Sequence, residues 1–324
     1  MALVRYVHAI NRALLDAMAA DPAVVVLGED VAGAGGSFKA TRGLLDRFGE
    51  ERVRDTPISE AAIVGAAVGA AMTGLKPVVE IMFMDFVTLA MDAIVNQAAK
   101  ARFMFGGQTS LPIVIRMPHG GGLNAGPQHS QCLEAWFAHV PGVKVLCPAN
   151  AADAYGLLRS AIDDPDPVIF VENKALYAQQ SELDAAPAIV PIGRARIART
   201  GRDATVIAYG ASVGVALRAA ETLGAQGIDI EVVDLRSLQP WDRATVLASV
   251  AATHRAVVVH EAVRAFGVGA EIAATIAEDG FDDLDAPVMR VGAPFMPVPY
   301  APSLEARYLP GAQAIIDAVR AVLA

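Results

Sequence analysis

The sequence predicts an α/β protein of two domains, each built on a mainly parallel sheet, and three observations predict it. Its strands are continuous Val/Ile runs rather than alternating ones, as expected where helices cover both faces of a parallel sheet. Those runs alternate with helix-length apolar patterns along the chain. The alternation breaks over residues 178–203 and then restarts, in 324 residues that suit domains of roughly 100–200.

Val4–Ala20 reads as an amphipathic helix, and Val24–Leu27 as a buried strand running into Gly28-Glu29-Asp30. Residues 31–37 are loop, and Arg42–Phe48 is helical. Val53–Thr56 approaches a helix of small residues, with Thr56 as its N-cap and Pro57 in its first turn. Pro77–Met82 and Pro112–Arg116 are strands flanking a helix at Phe86–Lys100. Val143–Leu146 and Val168–Val171 are two more strands, separated by the helix Ala151–Ile162. After the break come strands at 204–209, 229–233, 256–259 and 287–291, with helices at 213–224, 242–250, 268–278 and 311–323. The expected division is 1–185, a linker at 186–203, and 204–324.

Composition removes whole classes of function. A net charge of −9 argues against non-specific nucleic-acid binding, which depends on neutralising phosphates with Lys and Arg. Two cysteines, Cys132 and Cys147, are too few for a disulfide framework or a thiolate zinc cage. The longest charge-free apolar stretch, Ala61–Leu75, is shorter than the about 20 residues of a membrane span. With no apolar leader at its start, the chain is expected to be soluble and cytoplasmic. No HExxH, EF-hand or Walker loop occurs, and neither Gly33–Gly36 nor Gly267–Gly269 has the spacing of a dinucleotide fingerprint.

Candidate chemistry is concentrated in a few segments. Glu60, in Asp55-Thr56-Pro57-Ile58-Ser59-Glu60, sits in the first turn of an otherwise apolar helix. A carboxylate there either offsets the helix dipole or serves as a proton-sharing group in a weakly polar pocket. His129, in Pro127-Gln128-His129-Ser130-Gln131, follows a strand and a triple-glycine turn. It is either a solvated loop residue or a ligand-facing one beyond a strand's carboxyl end, where open α/β sheets bind ligands. Phe86 belongs with the core cluster around Met82–Met84. Gly210-Ala211-Ser212-Val213-Gly214 has the strand-to-helix setting of a nucleophile elbow, with Asp234 and His260 following in the order of a serine hydrolase. The other reading of that pattern is a tight turn.

Longer segments carry a resemblance. GED (28–30), DTPISEAAIVGAAVGAAMTGLKPVVEIMFMDF (55–86), AIVNQAAKARFMFGGQ (93–108) and PQHSQ (127–131) are the first of them. HVPGVKVLCP (139–148), DPDPVIFVENKALY (164–177) and VPYAPSLEARYLP (298–310) complete the set. Together they resemble, essentially end to end, the beta subunit of the thiamine-diphosphate-dependent decarboxylase component of 2-oxo acid dehydrogenase complexes. The resemblance implies a doubly wound pyrimidine-binding domain at 1–185 and a C-terminal transketolase-type domain at 204–324. It implies that Glu60 hydrogen-bonds the cofactor's aminopyrimidine nitrogen and that Glu29, Ile58, Phe86 and Leu89 surround that ring. Leu89 stands where relatives often carry Gln or Tyr. His129 resembles the histidine that faces the thiazolium and assists acyl transfer to a lipoyl group. Ile113, Ala161, Ile162, Asp164 and Asp166 match a potassium-binding region, although Pro165 and Asp166 depart from its Asn-rich form.

The chain has no GDG…N signature for magnesium and diphosphate. The resemblance assigns those ligands to an alpha subunit, in an alpha2-beta2 heterotetramer that serves a lipoyl acyltransferase. Substrates in keeping with it are pyruvate, branched-chain 2-oxo acids and acetoin, with no nucleic-acid or membrane partner. A serine hydrolase built on Ser212, Asp234 and His260 is the alternative.

Overall fold

In the computed structural model, residues 2–324 are described, and they form two compact units. The first comprises residues up to His119 together with Trp136–Ile192, and the second Gly120–Ala135 with Gly193–Ala324.

The first unit opens on β1 (Ala2–Arg5), followed by β2 (Val24–Gly28), β3 (Val53–Asp55), β4 (Lys76–Glu80) and β5 (Val114–His119). After these come β6 (Lys144–Leu146), β7 (Val168–Asn173) and β8 (Gln180–Leu183). Within this unit the strands lie in the order β6-β7-β5-β4-β2-β3, every neighbouring pair parallel. From β2 the chain steps outward to β3 and then crosses back to β4 on the other side. The order therefore reverses between β2 and β4, and the crevice beyond their carboxyl ends is the switch point at which open α/β sheets bind ligands. Backbones approach closely there: a Cβ on Gly28 would lie 2.6 Å from the Glu80 carbonyl oxygen.

Three expectations for this unit need correction. The first helix begins at Tyr6, not Val4, because Ala2–Arg5 pairs antiparallel with β8, Ala2 opposite Leu183 and Arg5 opposite Gln180. Residues 56–59 lie outside the next helix, which runs Glu60–Met72 with Ser59 as its N-cap. The stretch expected as one helix at Phe86–Lys100 is instead a 3₁₀ turn at Met84–Ala90, a π-helical segment at Ala93–Ala98 and a short α-helix at Ala99–Met104. Elsewhere a side chain caps a helix start. Asn150 caps the helix Ala151–Asp163, its Oδ1 accepting the Asp153 N–H at 2.9 Å.

The second unit contains β9 (Arg196–Arg199), β10 (Ala204–Ala208), β11 (Ile230–Asp234), a short β12 (Ser237–Gln239), β13 (Ala256–Val263) and β14 (Met289–Ala293). Its five-stranded sheet has the order β14-β13-β10-β11-β9, parallel except at the β9 edge. The expected linker at 186–203 is thus corrected: Arg196–Arg199 is an edge strand, held by Arg196–Asp234 and Arg199–Asp229 ion pairs. Residues 120–135, expected in the first domain, pack with the second unit. Among the described residues, no helix is long and apolar enough to cross a membrane.

The first unit's sheet encloses one arginine. The Arg116 guanidinium is 1% exposed, donating from Nη1 to Glu80 Oε2 at 2.7 Å. Its Nε and Nη2 grip the two Glu172 oxygens at 2.7 and 2.8 Å, and Tyr177 donates to Glu172 at 2.7 Å. Burial alone would depress the Arg116 pKa, but Glu172 and Glu80 outweigh it and hold the guanidinium charged. Removing the cation leaves two carboxylates buried against one another. Arg116→Met is therefore expected to cost about 3–5 kcal/mol, the usual range for breaking a buried pair. Urea unfolding followed by circular dichroism measures it; an unchanged midpoint would show that the carboxylates tolerate burial without their partner.

Candidate active site

The candidate residues of the first unit gather at the switch point. Glu29 directly follows β2, and Thr56 directly follows β3, its N–H bonding the Gly28 carbonyl at 3.0 Å. The loop beyond Glu29 is held by Asp55, which accepts the Ala32 and Gly33 amides at 2.6 and 3.3 Å. Thr41 Oγ1 ties the same loop down by donating to the Val31 carbonyl at 2.7 Å. Glu60 is the first residue of its helix and 3% exposed, so its carboxylate combines burial with the positive end of the helix dipole.

Two polar atoms here are buried without a hydrogen-bond partner, Glu29 Oε1 and Thr56 Oγ1. Buried polar groups are nearly always satisfied, so orphans at a sheet's switch point indicate a site shaped for a polar ligand. Burial raises the Glu29 pKa, and the charges of Glu60 and then Asp30 raise it further. An acid with an orphan oxygen beside a second carboxylate suits a ligand that donates hydrogen bonds or shares a proton.

The structure separates the other ring-site candidates. Phe86 is half-buried and meets Phe83 edge-on, with centroids 5.6 Å apart. Ile58 and Leu89 are 85% and 65% exposed, so neither lines an enclosed pocket within this unit. The Arg116 cluster was not legible as a site feature: a charged residue ending a strand-like run, PIVIR, looks like a strand end meeting solvent.

In the proposed potassium set of Ile113, Ala161, Ile162, Asp164 and Asp166, several of the oxygen donors already have partners. The Lys144 ammonium takes both Asp164 oxygens at 2.6 Å, while Asp166 is paired with Arg102 at 2.7 Å. The Ile113 and Ala161 carbonyls accept the Val168 and Asp164 amides. Any cation here would have to share main-chain oxygens that already accept these amides and carboxylates that already meet Lys144 and Arg102.

His129 belongs to the second unit, half-buried on the 120–135 excursion. Immediately after it lies a cavity of about 530 Å³, whose polar wall includes Ser130, Cys132, Glu261 and Tyr308. Phe295, Met296 and Val298 supply part of its apolar wall. The Ser130 hydroxyl is buried and unpartnered. Burial, and then Cys132 and Glu261, push the Tyr308 phenol up to about 12, so it remains a donor at any working pH.

The hydrolase pattern does not assemble. His260 Nδ1 hydrogen-bonds the Ala262 carbonyl at 3.1 Å rather than Asp234, and Asp234 pairs with Arg196 at 3.2 Å. Burial depresses the His260 pKa, and its ring is wedged where a Cβ on Gly267 or Gly269 would fall within 2.6–2.7 Å. Gly210–Gly214 is the tight strand-to-helix turn.

Comparison with known proteins divides the chain in two as well, with residues 120–135 falling inside the first match. Residues 3–180 match the model for the transketolase pyrimidine-binding domain, and residues 193–315 that for the transketolase C-terminal domain. The chain is 49% identical to the pyruvate dehydrogenase E1 component subunit beta-2, mitochondrial, of Oryza sativa, over 97% of this chain and 84% of that one. It is 48% identical to the pyruvate dehydrogenase E1 component subunit beta of Rhizobium meliloti, over 99% and 70%. Identity to the acetoin:2,6-dichlorophenolindophenol oxidoreductase subunit beta of Cupriavidus necator is 46%, over 96% and 95%. A solved structure titled split gene transketolase, inactive beta4 tetramer, matches with a TM-score of 0.83 and 25% identity, covering 99% of this chain and 98% of that one.

Glu29 generates a stability test independent of any activity. Its folded pKa lies above its unfolded one, so its contribution to stability is complete at low pH and is lost as pH rises through the raised value. Glu29→Gln removes that loss. Thermal melts of the mutant should exceed the parent's at neutral pH, and the gap should close towards the ordinary carboxyl value of 4.5. A gap that does not vary with pH would mean that Glu29 ionises without strain.

Proposed function

The chain belongs to the transketolase-like family of E1 beta subunits that includes those of pyruvate dehydrogenase and acetoin oxidoreductase, and on that premise we propose a specific role for it. It is the beta chain of a thiamine-diphosphate-dependent oxidoreductase that cleaves a carbon–carbon bond next to a carbonyl: pyruvate, which would lose carbon dioxide, is the first substrate to assay, and acetoin, which would release acetaldehyde, the second. The acyl group passes to a lipoyl domain. The observation that carries the reading is the buried carboxylate pair Glu29–Glu60 at the switch point, with its unpartnered oxygen.

Thiamine diphosphate, when bound, supplies the electron sink for the carbon–carbon bond that breaks. The residues present fit its aminopyrimidine half. Glu60 would hydrogen-bond the ring nitrogen and share its proton, Glu29 and Thr56 would satisfy their orphan oxygens on polar ring substituents, and Phe86 would offer an aromatic edge. Burial and the charge of Glu60 raise the Glu29 pKa, which favours sharing a proton with a ligand at this end of the sheet. Magnesium and the diphosphate need ligands of another kind. The chain carries no GDG…N motif, so these belong to an alpha subunit in an alpha2-beta2 assembly. Potassium is assigned no step.

Exposed surface supports a partner on the first unit. The helix Glu60–Met72 presents Ala61, Ala62, Gly65, Ala66 and Gly69 to solvent, a smooth face against which another backbone can approach closely. Phe103, Met104 and Phe105 are exposed at the end of their helix, and clustered exposed apolar groups mark interaction surfaces. Leu89 and Ile58, too open to line a pocket alone, would be covered by such a partner.

Two substitutions test the assignment in enzyme reconstituted with its alpha subunit. Glu60→Gln keeps the shape but cannot share a proton as an acid does, so decarboxylation should fall by about 10²–10⁴-fold, the usual worth of one general acid or base. An assembled mutant with near-parental turnover would remove Glu60 from the cofactor site. His129→Ala should separate the half-reactions. Lipoyl acylation needs a proton delivered to the opening disulfide, which an imidazole can supply near neutral pH. It should therefore fall much further than decarboxylation coupled to an artificial electron acceptor. Equal losses in both would leave His129 shaping its loop rather than transferring a proton.

A further inference from the structure

The turn that carries His129 is built to receive an anion, and the second unit fills it with its own carboxylates. Gly120, Gly122 and Asn124 all have left-handed φ angles, of 86°, 91° and 56°. Left-handed residues interspersed in a turn make successive amides converge on one side, forming a concave nest for negative charge. Glu305, 3% exposed on the short helix Pro302–Tyr308, occupies that nest. Its Oε1 accepts the Gly122 N–H and its Oε2 the Asn124 N–H, each at 3.0 Å. Glu261, on β13, accepts the neighbouring Gly121 amide at 2.5 Å. A Cβ on Gly121 would lie 3.1 Å from Glu305 Oε1, so only glycine sits comfortably there.

The rest of the turn is held from the same direction. The Tyr300 ring packs so closely on Gly126 that a Cβ there would fall 2.1 Å from it. The Gly126 carbonyl in turn accepts the His129 amide at 3.4 Å. Gly120 N–H reaches back to the Gln131 carbonyl at 3.5 Å, closing the excursion on itself. His129 therefore projects from a loop gripped on both sides of its glycine turn, three amides going to carboxylates and one glycine going under an aromatic ring.

We infer that Glu305, assisted by Glu261, is a positioning residue: its carboxylate clamps the 120–124 turn and thereby fixes the place of His129. The inference rests on the acyl-transfer role proposed for His129. Glutamine cannot reproduce the clamp. Its single carbonyl oxygen satisfies one amide, and its NH₂ confronts the other donor-to-donor. Misplacing a proton donor by about 1 Å is enough to cost about 10²-fold in rate.

The test uses the reconstituted enzyme with four beta chains: parent, Glu305→Gln, His129→Ala and the double variant. Each is assayed for acylation of a lipoyl domain and for decarboxylation coupled to an artificial acceptor. Glu305→Gln should lower acylation by about 10²-fold, and lower the acceptor-linked rate much less. On the His129→Ala background it should add no further loss, because a residue that acts only through His129 has nothing left to act on. Hydrogen exchange of the 120–131 amides should quicken in Glu305→Gln, a readout independent of turnover. Should Glu305→Gln not assemble, Gly126→Ala displaces Tyr300 from the same loop and should give the same split. Unchanged exchange, or losses that multiply in the double variant, would overturn the clamp. Normal acylation by His129→Ala together with quickened exchange in Glu305→Gln would instead overturn only the role of His129.

Discussion

Arg116 is a full positive charge closed off from water inside a sheet covered on both faces, and the first unit is arranged around keeping it satisfied. It stands opposite Glu80 in the β4–β5 register and reaches across to Glu172 on β7. Slipping any of these strands by one residue would turn a charged side chain to the wrong face of the sheet, a far larger penalty than misplacing a valine. The ionic cluster thus specifies register among strands whose Val/Ile sequences would otherwise allow several alignments. It also fixes how the strands' carboxyl ends line up, and the crevice with Glu29 and Glu60 lies just beyond those ends.

The cluster also shapes the electrostatics of that crevice. Two carboxylates share one guanidinium, and burial followed by the charge of Glu172 keeps the Glu80 pKa raised despite Arg116. Glu80 lies against the loop that follows Glu29, where a Cβ on Gly36 would be 3.0 Å from its Oε1. Acidic groups therefore accumulate at one edge of the sheet, and Glu29 and Glu60 sit among them. Holding carboxylates in such surroundings costs stability and is compensated by the packing beneath. What it provides is a buried acid at Glu29 whose pKa is raised by burial and by the neighbouring charge of Glu60.

The second unit uses buried carboxylates differently. Glu305 and Glu261 engage main-chain amides, so charge serves to hold backbone shape instead of tuning a proton. Glu134 accepts from Tyr209, whose ring stacks on His260, and the same unit thereby carries a polar core under β10 and β13. His260 is part of that core. Its neighbours are glycines because an imidazole fills the space their side chains would need.

Much of this was legible in the sequence because it depends on neighbours in the chain. Val24–Leu27 and Val168–Val171 are strands because continuous β-branched runs suit a sheet buried on both faces, and the helix between Val143–Leu146 and Val168–Val171 follows from its apolar periodicity. Glu60 and His129 could be singled out from a helix start and a glycine turn, and the long motifs around them carried the family. Tertiary structure decided the rest, and in each case the cause lies far along the chain. Ala2–Arg5 is a strand only because Gln180–Leu183 runs beside it, and residues 196–199 are one only because β11 offers an open edge. Ser212, Asp234 and His260 keep their suggestive order, yet the acid and the imidazole are turned to different partners. The grip of Glu305 on amides some 180 residues earlier cannot be read locally, since nothing in the sequence of a short helix names a donor so far along the chain. Local rules read propensity, capping and periodicity. Which buried charge meets which donor is settled only when the sheets have formed.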